Sequence, residues 1–200
     1  MAVTASISIS LDGYYVGSDP SPDKPLGVLG APLHGWFEHD IADKKQLSAH
    51  EILAAELERL GALVMGLDSY EHAQQAWGQH PPFEVPVFVL THKPRRPDIR
   101  EGTTFHFVTA GLNHALDQAK LAAGAKDVGC HGGGTIQQAI NHGVLDELQL
   151  HVVPILLKRG RRLFNNLTHD VVEWEQLGVV EGNGVTHLTY RMRQSTDHPH

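Results

Sequence analysis

Three consecutive glycines, Gly132 to Gly134, are the most specific sign of chemistry in this chain. They follow a short apolar run and precede a segment with the residue spacing of a helix. Glycine allows the backbone to turn sharply there and leaves N–H groups uncovered at the point where the helix begins. The turn is therefore a candidate seat for a phosphate group or a planar cofactor.

Two other predicted strands end in groups that suit an anion. Gly66 follows the apolar run ALVM and precedes a predicted helix that begins at Ser69. The run VFVL leads directly into the loop 91–97, the densest basic cluster of the chain, with Lys93 and Arg95. Open α/β sheets bind their ligands beyond the carboxyl ends of the strands. We therefore expect the three segments to form one dinucleotide cradle, with the basic loop at its adenosine end.

The residue patterns predict an α/β protein that carries this cradle. Alternating apolar residues from Val3 to Leu11 indicate the first strand, and Gly143 ends the helix that follows the three glycines. Further strands are predicted at 62–65, 86–90, 104–108 and 127–130, and helices at 48–60, 69–76, 112–122 and 135–141. Strands at 148–153, 171–177 and 185–192 have only short connections, which favours an antiparallel edge on a parallel sheet. The prediction is one domain over residues 1–192, with about eight strands in a mixed sheet, helices on both faces and a polar tail at 193–200.

Composition limits the possible partners. The chain has 16 basic and 23 acidic residues and a net charge of -7, which argues against a nucleic-acid partner or an anionic membrane. Its one cysteine cannot form an internal disulfide, and no apolar run is long enough to span a membrane, so we expect a cytoplasmic protein. The 15 histidines include no metal-binding motif, and no metal site is expected. The long segment 18–45 is rich in glycine and proline and is predicted to be a lid over the cleft.

Several segments together resemble the dihydrofolate reductase superfamily. They are SISLDGYYVG, GALVMGLDSYEHA, PVFVLTHKPRRP, the GGGT turn and LDELQLHVVPILLKRGRRLF. The likeness covers Val3 to Tyr190 and is strongest for the branch typified by the reductase domain of bacterial riboflavin biosynthesis, the RibD C-terminal family. It implies a three-layer α/β/α fold and an NADPH-dependent reductase that acts on a C=N or C=O carbon of a pterin-like or pyrimidine-like heterocycle. It also implies a homodimer.

The resemblance also implies roles for particular residues. Gly132 and Gly133 match a pair that family members join by a cis peptide bond, and Gly134, Thr135 and Ile136 match the turn that holds the pyrophosphate. The other implied cofactor positions are Ser8 and Ile9 at the nicotinamide carboxamide, Gly66, Ser69 and Tyr70 at the pyrophosphate, and Thr91, His92 and Lys93 at the adenosine ribose and 2′-phosphate.

This sequence departs from the family pattern at two positions in the cradle. The family commonly has arginine after the first glycine, whereas here Gly66 is followed by Leu67 and Asp68, and an aspartate repels a 2′-phosphate. Lys93 and Arg95 can compensate from the facing loop, so NADPH is expected, with NADH as the alternative. His131 stands where the riboflavin branch usually has glutamate, which weakens the transfer of the pyrimidine substrate.

The sequence leaves the proton donor open. Dihydrofolate reductases use an acid on the first helix, and counting back from Gly66 points to His50 and Glu51. Glu51 also completes an S-x-x-E capping box with Ser48, and that role alone accounts for it. Asp12, at the hinge of the loop over the nicotinamide, is a further candidate or a turn former. His131, on the floor of the site, is another candidate or a packed residue at the end of a strand. Water under a closed lid can also supply the proton. The alternative to an enzyme is a ligand-binding protein that keeps the reductase fold without turnover.

Overall fold

The computed structural model describes residues 1–38 and 49–193, apart from the side chains of residues 38, 49 and 50. The strands are β1 (Val3–Ser10), β2 (Tyr14–Val16), β3 (Leu60–Gly66), β4 (Val87–Leu90), β5 (Asp98–Arg100), β6 (Thr103–Val108), β7 (Asp127–His131), β8 (Glu147–Val153), β9 (Arg161–Arg162), β10 (Trp174–Gly182) and β11 (Val185–Met192). The helices are α1 (Ala49–Arg59), α2 (Leu67–Trp77), α3 (Gly111–Ala123) and α4 (Gly133–Asn141), and a 3-10 helix spans Ala31–Glu38.

Nine strands form one mixed sheet in the order β10-β11-β8-β1-β7-β3-β4-β6-β5. The six strands from β8 to β6 in that order are parallel to one another. At one edge β11 runs antiparallel to β8 and β10 antiparallel to β11, and at the other edge β5 runs antiparallel to β6. The mixed, mostly parallel sheet with an antiparallel C-terminal edge confirms the predicted fold class.

Helices cover both faces of the sheet. On one face α3 and α4 bury an apolar core against β1, β3 and β7, with Val64, Val128 and Ile136 fully buried. On the other face α2 packs against β3, β4 and β6, where Phe105 and Met65 are fully buried. Alternate residues of each central strand therefore enter two different cores, as expected for a strand buried on both sides.

A small second sheet fixes the chain around the carboxyl end of β1. In it β2 pairs antiparallel with β9, with Tyr14 opposite Arg162 and Val16 opposite Arg161. The backbones approach so closely there that a side chain on Gly160 would collide with the carbonyl of Val16. The pairing brings two segments together that are far apart in sequence.

The observed elements differ from the predicted ones at both edges of the sheet. The three-residue strand β5 was not predicted, because it follows Pro97 and is too short to show an alternating pattern. The prediction for the next-to-last strand, 171–177, began three residues early and ended five residues early. A bulge at Leu177 interrupts the alternation, and the Asn183–Gly184 turn, with a φ of 70° at Gly184, sets the true end of β10. None of the described helices is both long and apolar enough to cross a membrane.

Candidate active site

A single cleft of about 1380 Å³ runs along one face of the sheet. One half lies at the carboxyl ends of β3, β4 and β7, where three predicted segments meet. The other half lies over the polar face of β1 and β8 and is bordered by α1 and the 3-10 helix. The predicted site residues that line it are Ser8, Gly66, Ser69, Thr91, His92, His131, Gly132, Gly133, Gly134 and Thr135.

The three glycines form the turn between β7 and α4. Gly132 has a φ of 84°, and a side chain on it would collide with the hydroxyl of Ser69. A side chain on Gly133 would collide with the ring of Tyr15. Both positions therefore require glycine, one for its backbone angle and both for space. The peptide bond between Gly132 and Gly133 is trans, so the expected cis bond was wrong; the positive φ of Gly132 makes the sharp turn instead.

Thr135 places an unused polar atom in this turn. Its side chain is buried, and its Oγ1 has no hydrogen-bond partner in the described part of the chain. The atom lies across from Gly66, where an added Cβ would be 3.5 Å from it, an ordinary van der Waals distance. A buried hydroxyl without a partner is costly, so an unpaired one on the wall of a cleft indicates a ligand group that completes it.

Five of the predicted cofactor residues do not line the cleft with their side chains. Ile9 and Ile136 are buried in the core, so only their backbone groups can reach a ligand. Tyr70 packs between Phe105 and Phe107, and its hydroxyl donates to Asp98 at 2.7 Å. The fourth and fifth, from the basic loop after β4, are the exposed Lys93, just beyond the lining, and Arg95, which is ion-paired with Glu71.

The carboxylate of Asp12 has several hydrogen-bond partners. Its carboxylate accepts hydrogen bonds from the hydroxyl of Ser10 at 2.6 Å and from the N–H groups of Leu157 and Lys158. The Ser10 hydroxyl and these N–H groups lower the pKa of Asp12 to about 2. The side chain ties the turn after β1 to the segment after β8 and does not line the cleft. This is the turn-forming role that the sequence left open.

Of the two candidates on α1, Glu51 does not reach the described cleft. Glu51 is exposed at the start of the helix and is not among the lining residues. The side chain of His50 and the proposed cap Ser48 lie outside the described residues.

Glu56, further along α1, is the acid that the sequence analysis missed. It lines the cleft beside Ser6 and His151, with Oε1 3.6 Å from His151 Nε2. Burial raises the pKa of Glu56 to about 7, and the Ser6 hydroxyl and Arg59 offset only part of that effect. The signal was present, because Glu56 falls four residues after Ile52, on the apolar stripe that α1 turns toward the sheet.

A pair of histidines adjoins Glu56 in the polar half of the cleft. His151 on β8 and His187 on β11 lie side by side, with 2.7 Å between their Nδ1 atoms, and His151 Nε2 lies 2.7 Å from the Ser6 hydroxyl. Burial lowers the pKa of both rings, that of His151 to about 3, so both are neutral at pH 7. One Nδ1 must then donate and the other accept. These contacts satisfy His151 within the sheet.

Trp36, from the 3-10 helix, covers this pair. Its ring centroid lies 4.7 Å from that of His151 and 5.0 Å from that of His187. Its Nε1 donates to the hydroxyl of Ser8 at 3.0 Å. The segment predicted to be a lid therefore contacts the polar half of the cleft through at least this residue, although residues 39–45 of the prediction lie outside the described part.

His131 occupies the end of β7, directly before the glycine turn. Its ring makes edge contacts with Trp77 and Phe83, and its buried Nδ1 has no partner among the described residues. Burial, with a smaller contribution from His34, lowers the pKa of His131 to about 4. The ring is neutral at pH 7 and offers the cleft an unused nitrogen rather than a charge.

Asp68, which the sequence analysis treated as repulsive to a phosphate, has a cationic partner. Its Oδ2 lies 3.2 Å from Nη1 of Arg161 on β9. Both side chains are about half exposed or more, so the pair stabilises the fold by only about 0.2–1 kcal/mol. The negative charge at the start of α2 is thus balanced from a different part of the chain.

The buried acid predicts a pH-dependent stability. The pKa of Glu56 rises from 4.5 to about 7 on folding, so its favourable contribution is full below pH 4.5 and is lost as the pH rises through 7. Between about pH 5 and about pH 8 the loss is roughly 2 to 3 kcal/mol, because each pKa unit corresponds to about 1.4 kcal/mol. Urea unfolding at about pH 5 and about pH 8 should show Glu56→Gln free of this loss. Glu58→Gln, at an exposed position of the same helix, should behave as the wild type; an identical pH dependence in all three proteins would contradict the burial of Glu56.

Several solved structures share the fold of this chain. A putative riboflavin biosynthesis protein from Shewanella sp. PV-4 is 25% identical, with a TM-score of 0.74 over 97% of this chain and 100% of the other. A pyrimidine reductase-like protein from Corynebacterium diphtheriae is 14% identical, with a TM-score of 0.61 over 97% of this chain and 92% of the other. Dihydrofolate reductase from Enterococcus faecalis, complexed with NADP(H), is 16% identical, with a TM-score of 0.56 over 96% and 97%.

Sequence comparison gives the family directly. A search of curated protein sequences found no match. The profile of the RibD C-terminal domain, however, matches residues 1–188. The chain therefore belongs to the RibD C-terminal domain family, NAD(P)H-dependent oxidoreductases with the fold of dihydrofolate reductase.

Proposed function

We propose that this protein is an NADPH-dependent reductase that delivers a hydride to a C=N or C=O carbon of a small pterin-like or pyrimidine-like heterocycle. The observation that carries the proposal is the union of two features in one cleft: an open glycine turn with an unpartnered hydroxyl, and a buried acid on the facing helix. The first suits a dinucleotide, and the second suits a substrate that must gain a proton as it gains a hydride.

The residues of the glycine turn fit the cofactor. Gly132 and Gly133 leave space that any side chain would fill, and Thr135 Oγ1 lacks a partner that a phosphate oxygen would supply. The start of α4 directs its N–H groups to the same place, which favours an anion. When bound there, the nicotinamide supplies the hydride.

The remaining cofactor contacts follow from the strand ends. Gly66 and Ser69, at the start of α2, would hold the pyrophosphate from the second side. Thr91, His92 and Lys93 would bind the adenosine ribose and its 2′-phosphate. The backbone of Ser8 and Ile9 would hold the nicotinamide carboxamide, next to the polar half of the cleft. Lys93 would give the preference for NADPH through its contact with the 2′-phosphate. The Thr91 hydroxyl accepts a hydrogen bond from the backbone N–H of Lys93 at 3.2 Å, which fixes the loop that carries the side chain.

Glu56 would protonate the substrate. A carboxyl group with a pKa of about 7 is partly protonated at neutral pH and is still acidic enough to release its proton to a ring nitrogen. It sits in the half of the cleft that the histidine pair and Trp36 border, and its side chain is 25% exposed. Asp12 is occupied by its turn, and Glu51 is exposed, so Glu56 is the better acid of the three.

Nicotinamide binding is the first test. Reduced-nicotinamide fluorescence should show that the protein binds both NADPH and NADH, with NADPH the tighter ligand. Lys93→Ala should weaken NADPH about tenfold and NADH little, because one charge-assisted hydrogen bond to the 2′-phosphate is lost. Lys126→Ala is the matched control, because Lys126 is exposed, lies outside the cleft lining and precedes the amino end of β7, away from the glycine turn. Absence of binding by both dinucleotides at millimolar concentration would refute the proposed function.

The role of Glu56 predicts a specific loss of activity. With a panel of pterins and pyrimidines as oxidants, Glu56→Gln should bind NADPH normally but oxidise it about 10²- to 10⁴-fold more slowly. The wild-type kcat/KM should fall as the pH rises through about 7, and the variant should lack that fall. Equal rates in the two proteins would assign the proton to water instead. Cofactor binding without oxidation in the wild type would favour a ligand-binding protein without turnover.

We also propose that the protein is a cytoplasmic homodimer joined at the β10 edge. This strand is the outermost of its edge, and Leu177, Val179 and Val180 on it are exposed. An uncovered apolar edge strand favours pairing with a second copy. Light scattering should give twice the 21.9 kDa of one chain, and Val179→Lys should lower that mass toward the monomer. A wild-type mass of one chain would contradict this assembly.

A further inference from the structure

Arg161 reaches the cofactor cradle from an element that the nucleotide-binding pattern does not include. It lies on β9, which pairs with β2, so its position is set by the close contact between Gly160 and Val16 rather than by α2 or α4. The side chain lines the cleft together with the glycine turn. The short sheet therefore holds a cation against the anion seat.

Two side chains fix the direction of the guanidinium. Asp68, in the first turn of α2, pairs with it at 3.2 Å. Tyr15 lies near it as well, because burial raises the pKa of the Tyr15 phenol and the Arg161 guanidinium offsets part of that rise. The ring of Tyr15 in turn lies against Gly133. Arg161 is thus one side chain away from the turn, between the starting points of the two helices.

The other cations that line the described cleft suit the glycine turn less well. Arg59 is bound to Asp127 and Glu147, at the amino ends of β7 and β8 and so away from the glycine turn. Lys24 lies in the loop after β2 and presents a compact ammonium rather than paired donors. Of the two guanidinium groups among the described lining residues, Arg161 is therefore the one near the turn.

We propose that Arg161 is the diphosphate-binding cation of the cofactor site, with Asp68 and Tyr15 as the residues that position it. The inference rests on the proposed nicotinamide function and adds a residue and a contact to it. The ion pair with Asp68 is largely exposed and weak, so a diphosphate can replace the carboxylate. A guanidinium presents two parallel N–H donors, which match two phosphate oxygens better than one carboxylate oxygen at 3.2 Å. Asp68 then positions the Arg161 guanidinium, in addition to repelling a phosphate.

This role differs from that of Lys93 in a measurable way. NADPH and NADH share the diphosphate and differ only in the 2′-phosphate. Loss of a diphosphate contact must therefore weaken both dinucleotides by the same factor, whereas loss of a 2′-phosphate contact weakens only NADPH. The ratio of the two dissociation constants separates the two residues.

The test is a fluorescence titration of NADPH and NADH with Arg161→Gln. The dissociation constants of both dinucleotides should rise together by at least about tenfold, as expected for a lost hydrogen bond to a charged group. Arg161→Lys, which keeps the charge but not the paired donors, should fall between the wild type and Arg161→Gln. Arg162→Gln is the matched control, because its side chain lies over the ring of Tyr14 and outside the cleft lining. Its affinities should equal those of the wild type.

The alternative outcomes are distinct. Unchanged affinity in Arg161→Gln, or a loss for NADPH alone, overturns the diphosphate role while the proposed function stands. Failure of the wild type to bind either dinucleotide removes both proposals together. A thermal unfolding midpoint in Arg161→Gln within a few degrees of the wild type is expected, since the ion pair is exposed; if that variant unfolds, the Arg161→Lys affinities decide, with wild-type values overturning the proposal.

Discussion

The arrangement of the cleft depends on β1 lying between β7 and β8 in the sheet. Parallel pairing with β7 places Ala5, in the middle of β1, beside Cys130, two residues before the glycine turn. Parallel pairing with β8 places Ser6 and Ser8 beside Gln149 and His151. Because side chains alternate along a strand, the apolar residues of β1 enter the core under α3 and α4 while its serines face the cleft. One strand thus joins the half that suits a dinucleotide to the half that holds the acid.

Electrostatics divide these two halves. The polar half contains groups whose charged forms are disfavoured by burial: Glu56 with a raised pKa and His151 with a lowered one. The glycine-turn half contains exposed charges that neutralise one another across elements, as Arg161 and Asp68 do. The glycine-turn half therefore favours an anionic ligand, and the polar half favours a neutral ring. This division matches a charged cofactor beside an uncharged heterocycle, which is the pair that the proposed function requires.

The sequence predicted the features that depend on neighbouring residues and missed those that depend on pairing between segments far apart in the chain. Alternation identified β1, and the glycines identified the turn, because both constraints act within a few residues. Glu56 was missed because the acid was sought by counting back from Gly66, although the spacing from Ile52 already marked a carboxylate on the apolar stripe. His187 could not be recognised as a partner of His151, since the β8 and β11 register is set by tertiary pairing. Arg161 was unseen for the same reason, as β9 has only two residues.

The histidine pair also bears on how much the protein must rearrange when Glu56 changes its protonation state. The Ser6 hydroxyl and the two neutral rings can each donate and accept, so the hydrogen bonds from Ser6 to His151 and from His151 to His187 can run in either direction. That direction can follow the charge of the Glu56 carboxyl, which lies 3.6 Å from His151 Nε2. Only hydrogens differ between the two arrangements. The heavy atoms that surround the acid can therefore keep their positions in both of its protonation states.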